Sequence, residues 1–164
     1  MNSGSSRGKK KAGDKVPTVI GTGGLDNVVG YHLRLAQEAS FAAYARMVGD
    51  TRIWPGWYSL LKIINDNPGI NQTELSLATG RDKSTLTASL RELGKAGLVE
   101  KTRDETDRRN VRLILSAAGG EQLRQLESHA LAHDKEIDRI VGSDNRVMFL
   151  QILKKLAEEL KQRP

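Results

Sequence analysis

The sequence predicts a mostly α-helical fold with a small β-wing: a winged helix-turn-helix flanked by long N- and C-terminal helices. Three observations carry that prediction. Two helix-forming segments, NQTELSLATG and RDKSTLTASLRELGKAG, meet at Gly80 with capping residues at consistent spacings. Two short β-prone runs follow at once, LVEKT and VRLIL, separated by a loop rich in both charge signs. On either side, apolar residues recur at helical spacing, over residues 25–48 and again from 117 to 160.

Residues 1–24 are rich in Gly, Ser and Lys, with Pro17 and the run GTGG. Such a segment holds too little apolar surface to offset its ordering entropy, so a flexible basic arm is expected. Arg7, Lys9, Lys10, Lys11 and Lys15 against Asp14 give it four of the six net positive charges of the 164-residue chain. The high pI is therefore a property of the arm more than of the body. Two readings of the lysines stand side by side: attraction to DNA phosphate and a solubilising tail. With no cysteine in the chain, disulfides, thiolate metal sites and cysteine nucleophiles are excluded. No apolar run approaches the ~20 residues of a membrane span, and no apolar region follows the basic start as in a secretory signal. A cytoplasmic protein without a membrane partner is expected.

The folded domain is expected over 25–164. Its first helix runs from Leu25 to Val48, with Leu25, Val28, Val29, Leu35, Ala36, Ala39, Ala42 and Ala43 on one face. His32 falls on that stripe, as a packing residue or as a ligand contact. Pro55 opens the next helix, which carries Trp57, Tyr58, Leu60, Leu61, Ile63 and Ile64 and stops before Pro68 and Gly69. Trp54, Trp57 and Tyr58 lie within five residues of one another, as a wall for a flat ligand or as core.

Asn71 and Glu74 then form a capping box, and Leu75 and Ala78 face inward. After the turn at Gly80 a second helix starts near Asp82 and buries Leu86, Leu90 and Leu93. Its other face holds Lys83, Ser84, Thr85, Thr87, Ser89 and Arg91, short hydrogen-bonding side chains between cations. These residue types read base edges and phosphates. Gly97 ends the helix, with Leu98 supplying the apolar contact of that ending. In the wing, Lys101, Arg103 and Arg108 suit phosphates, while Asp107 can orient Arg109 toward a narrow minor groove. A merely solvated charged hairpin is the alternative.

Ser116 caps a helix reaching Val141, with Leu123, Leu126, Ala130, His133, Ile137, Ile140 and Val141 on one face. His129 and His133 have metal-ligand spacing, but the Ala-Leu-Ala between them lacks the glutamate a metalloprotease needs. No metal site, cofactor or enzyme activity is read from the chain. Gly142 ends that helix, and Ser143 or Asp144 is expected to cap the last one. There Val147, Leu150, Ile152, Leu153, Leu156 and Leu160 form a seam suited to a helix of a second subunit or to the N-terminal helix.

From Leu75 to Gly119 the chain resembles the MarR family of winged-helix transcriptional regulators. The resemblance lies in Asp82 to Thr87, in the strand entry Gly97 to Glu100, and in Asp107, Arg109, Val111 and Leu115-Ser116. It departs at Ala88, where the family often has arginine, which shifts weight to Ser84, Thr85, Thr87 and Ser89. With the flanking helices the resemblance covers about residues 25–162.

It implies a DNA-binding lobe over 55–115 and dimerisation helices over 25–49 and 116–164. It further implies a homodimeric repressor on a pseudo-palindromic operator, released by a small aromatic acid or its coenzyme A thioester. The family's ligand pocket would then be lined by His32, Trp54, Trp57, Tyr58 and His133, with Arg34, Arg46 and Arg52 near its rim. The competing function is a ligand-independent, nucleoid-type DNA binder whose affinity comes from the lysine arm.

Overall fold

The structure, a computed structural model, describes residues 21–49, 56–103 and 111–161. The chain divides after residue 35 into two compact units. In the first, Leu25–Asn27 form a single 3-10 turn behind Gly24, which takes φ 89°. The helix expected from Leu25 is interrupted at Val28, whose backbone is extended (φ −98°, ψ 109°), so α1 spans Val29–Val48. Thr22 Oγ1 donates to the Asp26 carboxylate at 2.7 Å. Two side-chain contacts inside the turn thus compete with helix extension, since His32 Nε2 also sits 2.7 Å from the Asp26 carbonyl oxygen.

The second unit begins within α1, at Ala36, and continues with α2 (Trp57–Asp66), β1 (Ile70–Asn71), α3 (Gln72–Thr79) and α4 (Lys83–Lys95). Then come β2 (Val99–Arg103), β3 (Val111–Leu115), α5 (Ala117–Val141) and α6 (Arg146–Lys161). The core gathers one face of each element of the lobe: Trp57, Leu60, Leu61 and Ile64 from α2, Leu75 from α3, and Leu86, Leu90 and Leu93 from α4. Leu98, just before β2, closes it with Val99 and Leu113 from the sheet and with Leu123 and Leu126 from α5. The predicted stripe of α4 is the buried one: none of its three leucines is more than 1% exposed.

The helix ends follow local chemistry. Asn71 Oδ1 accepts from the backbone N–H of Thr73 and Glu74, and Glu74 reaches back to the Asn71 N–H, each at 2.9 Å. At the end of α4, Gly97 (φ 69°) lets Leu98 N–H reach the Leu93 carbonyl and its own N–H reach Gly94, each at 3.0 Å. This is the double closure of a Schellman ending, with buried Leu93 and Leu98 as its apolar pair.

The sheet has the order β1-β3-β2, antiparallel throughout, with Val99 opposite Leu115 and Arg103 opposite Val111. The sequence reading had only the hairpin. β1 adds Ile70 opposite Leu113, and Arg112 Nη1 donates to the Gly69 carbonyl at 3.2 Å. At the other end of β3, Ser116 N–H donates to the Leu98 carbonyl at 3.1 Å. Ser116 Oγ donates to Gly97 O at 2.6 Å and accepts from Gly119 N–H at 3.0 Å, so the predicted cap also fastens α5 to β2.

Two expectations fare differently. Ser143–Asn145 form a separate 3-10 turn, and α6 begins at Arg146 instead of being capped by Ser143 or Asp144. Arg146 ties the two helices together by donating to Asp134 at 2.9 Å and to Asp138. The stripe expected on α1 is mostly exposed, with Tyr44 the single buried side chain of that helix; the seam expected on α6 holds no buried side chain, though Leu153 and Leu156 are half-buried. Periodicity marks a face that needs covering but not what covers it. Among the described residues no helix is long and apolar enough to cross a membrane.

Close approach at the start of α5 yields a stability test. A Cβ at Gly119 would lie 2.0 Å from the Leu98 carbonyl oxygen, a backbone atom that cannot step aside, whereas one at Gly120 meets nothing within 4 Å. Gly119→Ala is expected to lower unfolding free energy by about 1–3 kcal/mol. Gly120→Ala should be neutral or mildly stabilising, because alanine favours the helix. Urea denaturation of the two variants beside the wild type checks both.

Candidate nucleic-acid interface and the cleft beside it

Burial of Leu86, Leu90 and Leu93 dictates what α4 presents outward. At 100° per residue, Ser84, Ala88 and Arg91 lie opposite the leucines, with Lys83 and Thr87 on one flank and Thr85 and Ser89 on the other. Lys83, Ser84, Thr85, Thr87, Ala88 and Arg91 are all exposed. Ser89 is different: half-buried, its hydroxyl donates to the Thr85 carbonyl at 3.0 Å and accepts from Arg81 Nη1 at 3.5 Å. Its hydroxyl is thus engaged on the inner flank of the helix, unlike those of Ser84 and Thr85.

The hydroxyls are already oriented. Asp82, the N-cap, accepts from Thr85 N–H at 2.8 Å, from Thr85 Oγ1 at 2.6 Å and from Ser84 Oγ. The Ser84 and Thr85 hydroxyls, followed by the Thr85 backbone N–H, hold the Asp82 carboxyl well below the usual aspartate range. With their protons directed at Asp82, both hydroxyls turn lone pairs outward and suit the amino groups of adenine or cytosine. Thr87 Oγ1 donates to the Lys83 carbonyl and accepts from Gln72 Nε2, each at 2.6 Å, bracing α4 against the first turn of α3. Ala88 offers a methyl group at the centre of the face, the chemistry that meets a thymine methyl.

On the sheet, Lys101 is exposed opposite Leu113, and the Arg103 backbone pairs with Val111. Asp107, Arg108 and Arg109 lie outside the described residues, as does Trp54.

Behind α3 and α4 a cleft of about 260 Å³ opens among α1, α2 and α5. Ser40, Phe41 and Tyr44 line it from α1, Tyr58 and Ser59 from α2, and Ala130, His133, Asp134 and Ile137 from α5. Gly56 and Arg81 complete the wall. Tyr44 donates to the Leu126 carbonyl at 3.2 Å, and burial, then the neighbouring Tyr58, pushes its phenol up to about 12. His133 Nε2 lies 2.9 Å from Ser40 Oγ, while its buried Nδ1 has no partner among the described residues.

Of the five residues expected at a ligand pocket, Tyr58 and His133 line this cleft. Trp57, 7% exposed, points into the core and is not among the lining residues. His32 is exposed in the first unit, edge-on to Tyr31. Arg81 and Gln72 escaped the sequence reading. Arg81 drew no assignment, although a long cation between a helix-ending glycine and an N-cap is a signal that can be read.

The family model described as MarR family matches residues 55–111. A Thauera aromatica protein described as a transcriptional regulatory protein for the hcr operon is 29% identical over 159 residues, 96% of this chain and 95% of the relative. The solved structure of the transcriptional repressor CouR bound to a 23-mer DNA duplex matches with a TM-score of 0.75 at 30% identity, covering 85% of this chain and 99% of that one. CouR bound to p-coumaroyl-CoA matches with a TM-score of 0.76 at 29% identity, over 86% of this chain and 99% of that one. The PcaV regulator of Streptomyces coelicolor, in complex with its natural ligand, shares the fold at 24% identity with a TM-score of 0.77, over 85% of this chain and 98% of that one.

Asp82 allows a pH test of the α4 cap. A carboxyl with a lowered folded pKa contributes stability above its unfolded value of about 3.9. That contribution is lost as pH falls toward the folded value. Asp82→Asn keeps a capping oxygen but no titrating group. Between about pH 4 and pH 2 the wild type should lose denaturation midpoint more steeply than Asp82→Asn. Parallel slopes in urea titrations across that range would remove Asp82 from the account.

Proposed function

The chain belongs to the MarR family of winged helix-turn-helix transcriptional regulators, and we propose that it is a homodimeric repressor released from its operator by a small aromatic ligand. The observation that carries this reading is the face of α4. A helix locked to the core by three leucines turns Lys83, Ser84, Thr85, Thr87 and Arg91 to solvent, with hydroxyls already oriented. CouR, similar over nearly its whole length, is a repressor with both a DNA-bound and a p-coumaroyl-CoA-bound structure.

In this reading Ser84, Thr85, Thr87 and Arg91 read base edges, with Ala88 against a thymine methyl. Lys83, Lys101, Arg103 and Arg108 meet phosphates, and Arg109, oriented by Asp107, enters the minor groove. One copy offers too few contacts for a specific site, so two copies bind half-sites about one turn, ~34 Å, apart. The exposed apolar faces of α1 and α6 supply the dimer contact: Val147 and Met148 are each more than 60% exposed, a state that favours burial against a second helix. The regulator works in the cytoplasm, where its operator lies.

The ligand enters the cleft lined by Tyr58 and His133. At about 260 Å³ the cleft suits an aromatic acid or the acyl end of a thioester, leaving a nucleotide carrier outside. It acts by favouring a dimer geometry with the wrong spacing of recognition helices, and a 100-fold loss of DNA affinity needs about 2.7 kcal/mol of differential binding.

Two measurements test the reading. Arg109→Ala should weaken binding to the operator by about 1–3 kcal/mol in a titration at fixed salt. Unchanged affinity would sink the wing assignment. Light scattering should give twice the 18.1 kDa chain mass. Ile152→Glu, which places a charge in the α6 seam, should halve that mass and abolish specific binding together. A monomeric wild type that binds its operator specifically would refute the dimer.

A further inference from the structure

Arg81 stands between the cleft and α4. Its backbone leaves Gly80 (φ 66°) and enters Asp82, the α4 N-cap, and its carbonyl accepts from Ser76 Oγ at 2.7 Å. Its guanidinium crosses to the cleft wall, where Nη2 donates to the Gly56 carbonyl at 3.1 Å and Nη1 to Ser89 Oγ at 3.5 Å. The seat is fitted to it: a Cβ on Gly56 would stand 1.9 Å from Nη2. Burial draws the pKa of this guanidinium below the usual value, with no carboxylate beside it among the described residues. The other charge on the cleft wall, Asp134, is paired with Arg146 at 2.9 Å.

Among the described residues this half-buried cation is held by one carbonyl and one distant hydroxyl, which leaves most of its five N–H donors to a ligand. A carboxylate entering the cleft would take two of them in parallel, the strongest arrangement available to arginine. The aromatic and aliphatic wall would meanwhile accept a ring.

We propose that Arg81 is the anion receptor of the cleft, and that an aromatic carboxylate bound there takes its guanidinium from Gly56 and Ser89, so that α4 of the same chain responds directly to occupancy. This rests on the ligand-responsive reading above and deepens it. The free chain holds α4 through Arg81 to Ser89 and to the Gly56 carbonyl before α2. The occupied chain exchanges those contacts for the ligand, and the start of α4, where Ser84 and Thr85 are oriented, loses a tether.

The probes are 4-hydroxybenzoate and 4-coumarate, each beside its uncharged methyl ester. Binding is read by calorimetry and DNA release by fluorescence anisotropy, on the full chain. The wild type should bind an acid more tightly than its ester. Arg81→Gln should lose about tenfold or more of the acid affinity and none of the ester affinity. Arg81→Lys keeps the charge but not the paired donors and should fall between them, which guards against a folding defect in the glutamine variant. Gly56→Ala is accepted by the backbone (φ −86°, ψ −2°), and its nearest conflicts are with the Arg81 guanidinium, so it should weaken DNA binding without any ligand.

Equal acid affinity in Arg81→Gln and wild type overturns the receptor. Undiminished ligand-free DNA affinity in Gly56→Ala overturns the coupling. If no acid binds the wild type the proposal fails, while DNA release by an ester or thioester would leave the ligand-responsive reading standing. Failure of every aromatic probe to release DNA would sink that reading as well.

Discussion

Everything α4 presents to solvent depends on what it hides. Leu86, Leu90 and Leu93 sit in the same cluster as Leu60, Leu61, Ile64 and Leu75, joined by Leu98 and by Val99 and Leu113 from the sheet. A buried leucine contributes about 1.5–3 kcal/mol, and these three share one face, so rotating α4 would expose all of them together. The polar face is therefore aimed by burial, not by its own interactions. Caps at both ends then stop the helix sliding along its axis: Asp82 pins the first turn, and the paired closure around Gly97 pins the last.

The legible features were those whose causes lie within a few residues. The capping box at Asn71 and Glu74, the caps at Asp82 and Ser116, and the ending at Gly97 and Leu98 each need only local spacing, and each is present. β1 was invisible because its partner, Leu113, lies over forty residues away and a two-residue strand has no periodicity. The start of α1 was misread because apolar spacing continues through Leu25 and Val28 while the side chains of Thr22 and His32 hold a turn there.

The site divides along the same line. The exposed face of α4 followed from its leucines, but Ser89 could not be separated from Ser84 by residue type. Its place on the helix flank, its bond to the Thr85 carbonyl and the approach of Arg81 set Ser89 apart. Trp57 and Tyr58 are adjacent and equally aromatic, yet one packs into the core and the other lines the cleft, since neighbours on a helix point 100° apart. The stripes of α1 and α6 were read correctly as apolar. What they lacked was a partner within one chain, a fact that no intrachain pattern carries.

A helix anchored so firmly limits how a ligand can act on it. Moving α4 out of its bed would expose three leucines at about 1.5–3 kcal/mol each, more than a small ligand supplies differentially. Exchanging polar contacts at the rim is far cheaper. A charge-assisted hydrogen bond is worth about 1.5–3 kcal/mol, the same size as the differential binding that changes DNA affinity 100-fold. Arg81 sits where that exchange costs least. It lies outside the leucine cluster, next to the residue that caps α4, and its contacts to Gly56 and Ser89 can be surrendered without opening the core. If Arg81 receives the ligand as proposed, the fold separates two requirements that conflict in a single element, a rigid recognition surface and a response to ligand, by placing rigidity in leucine burial and response in one guanidinium.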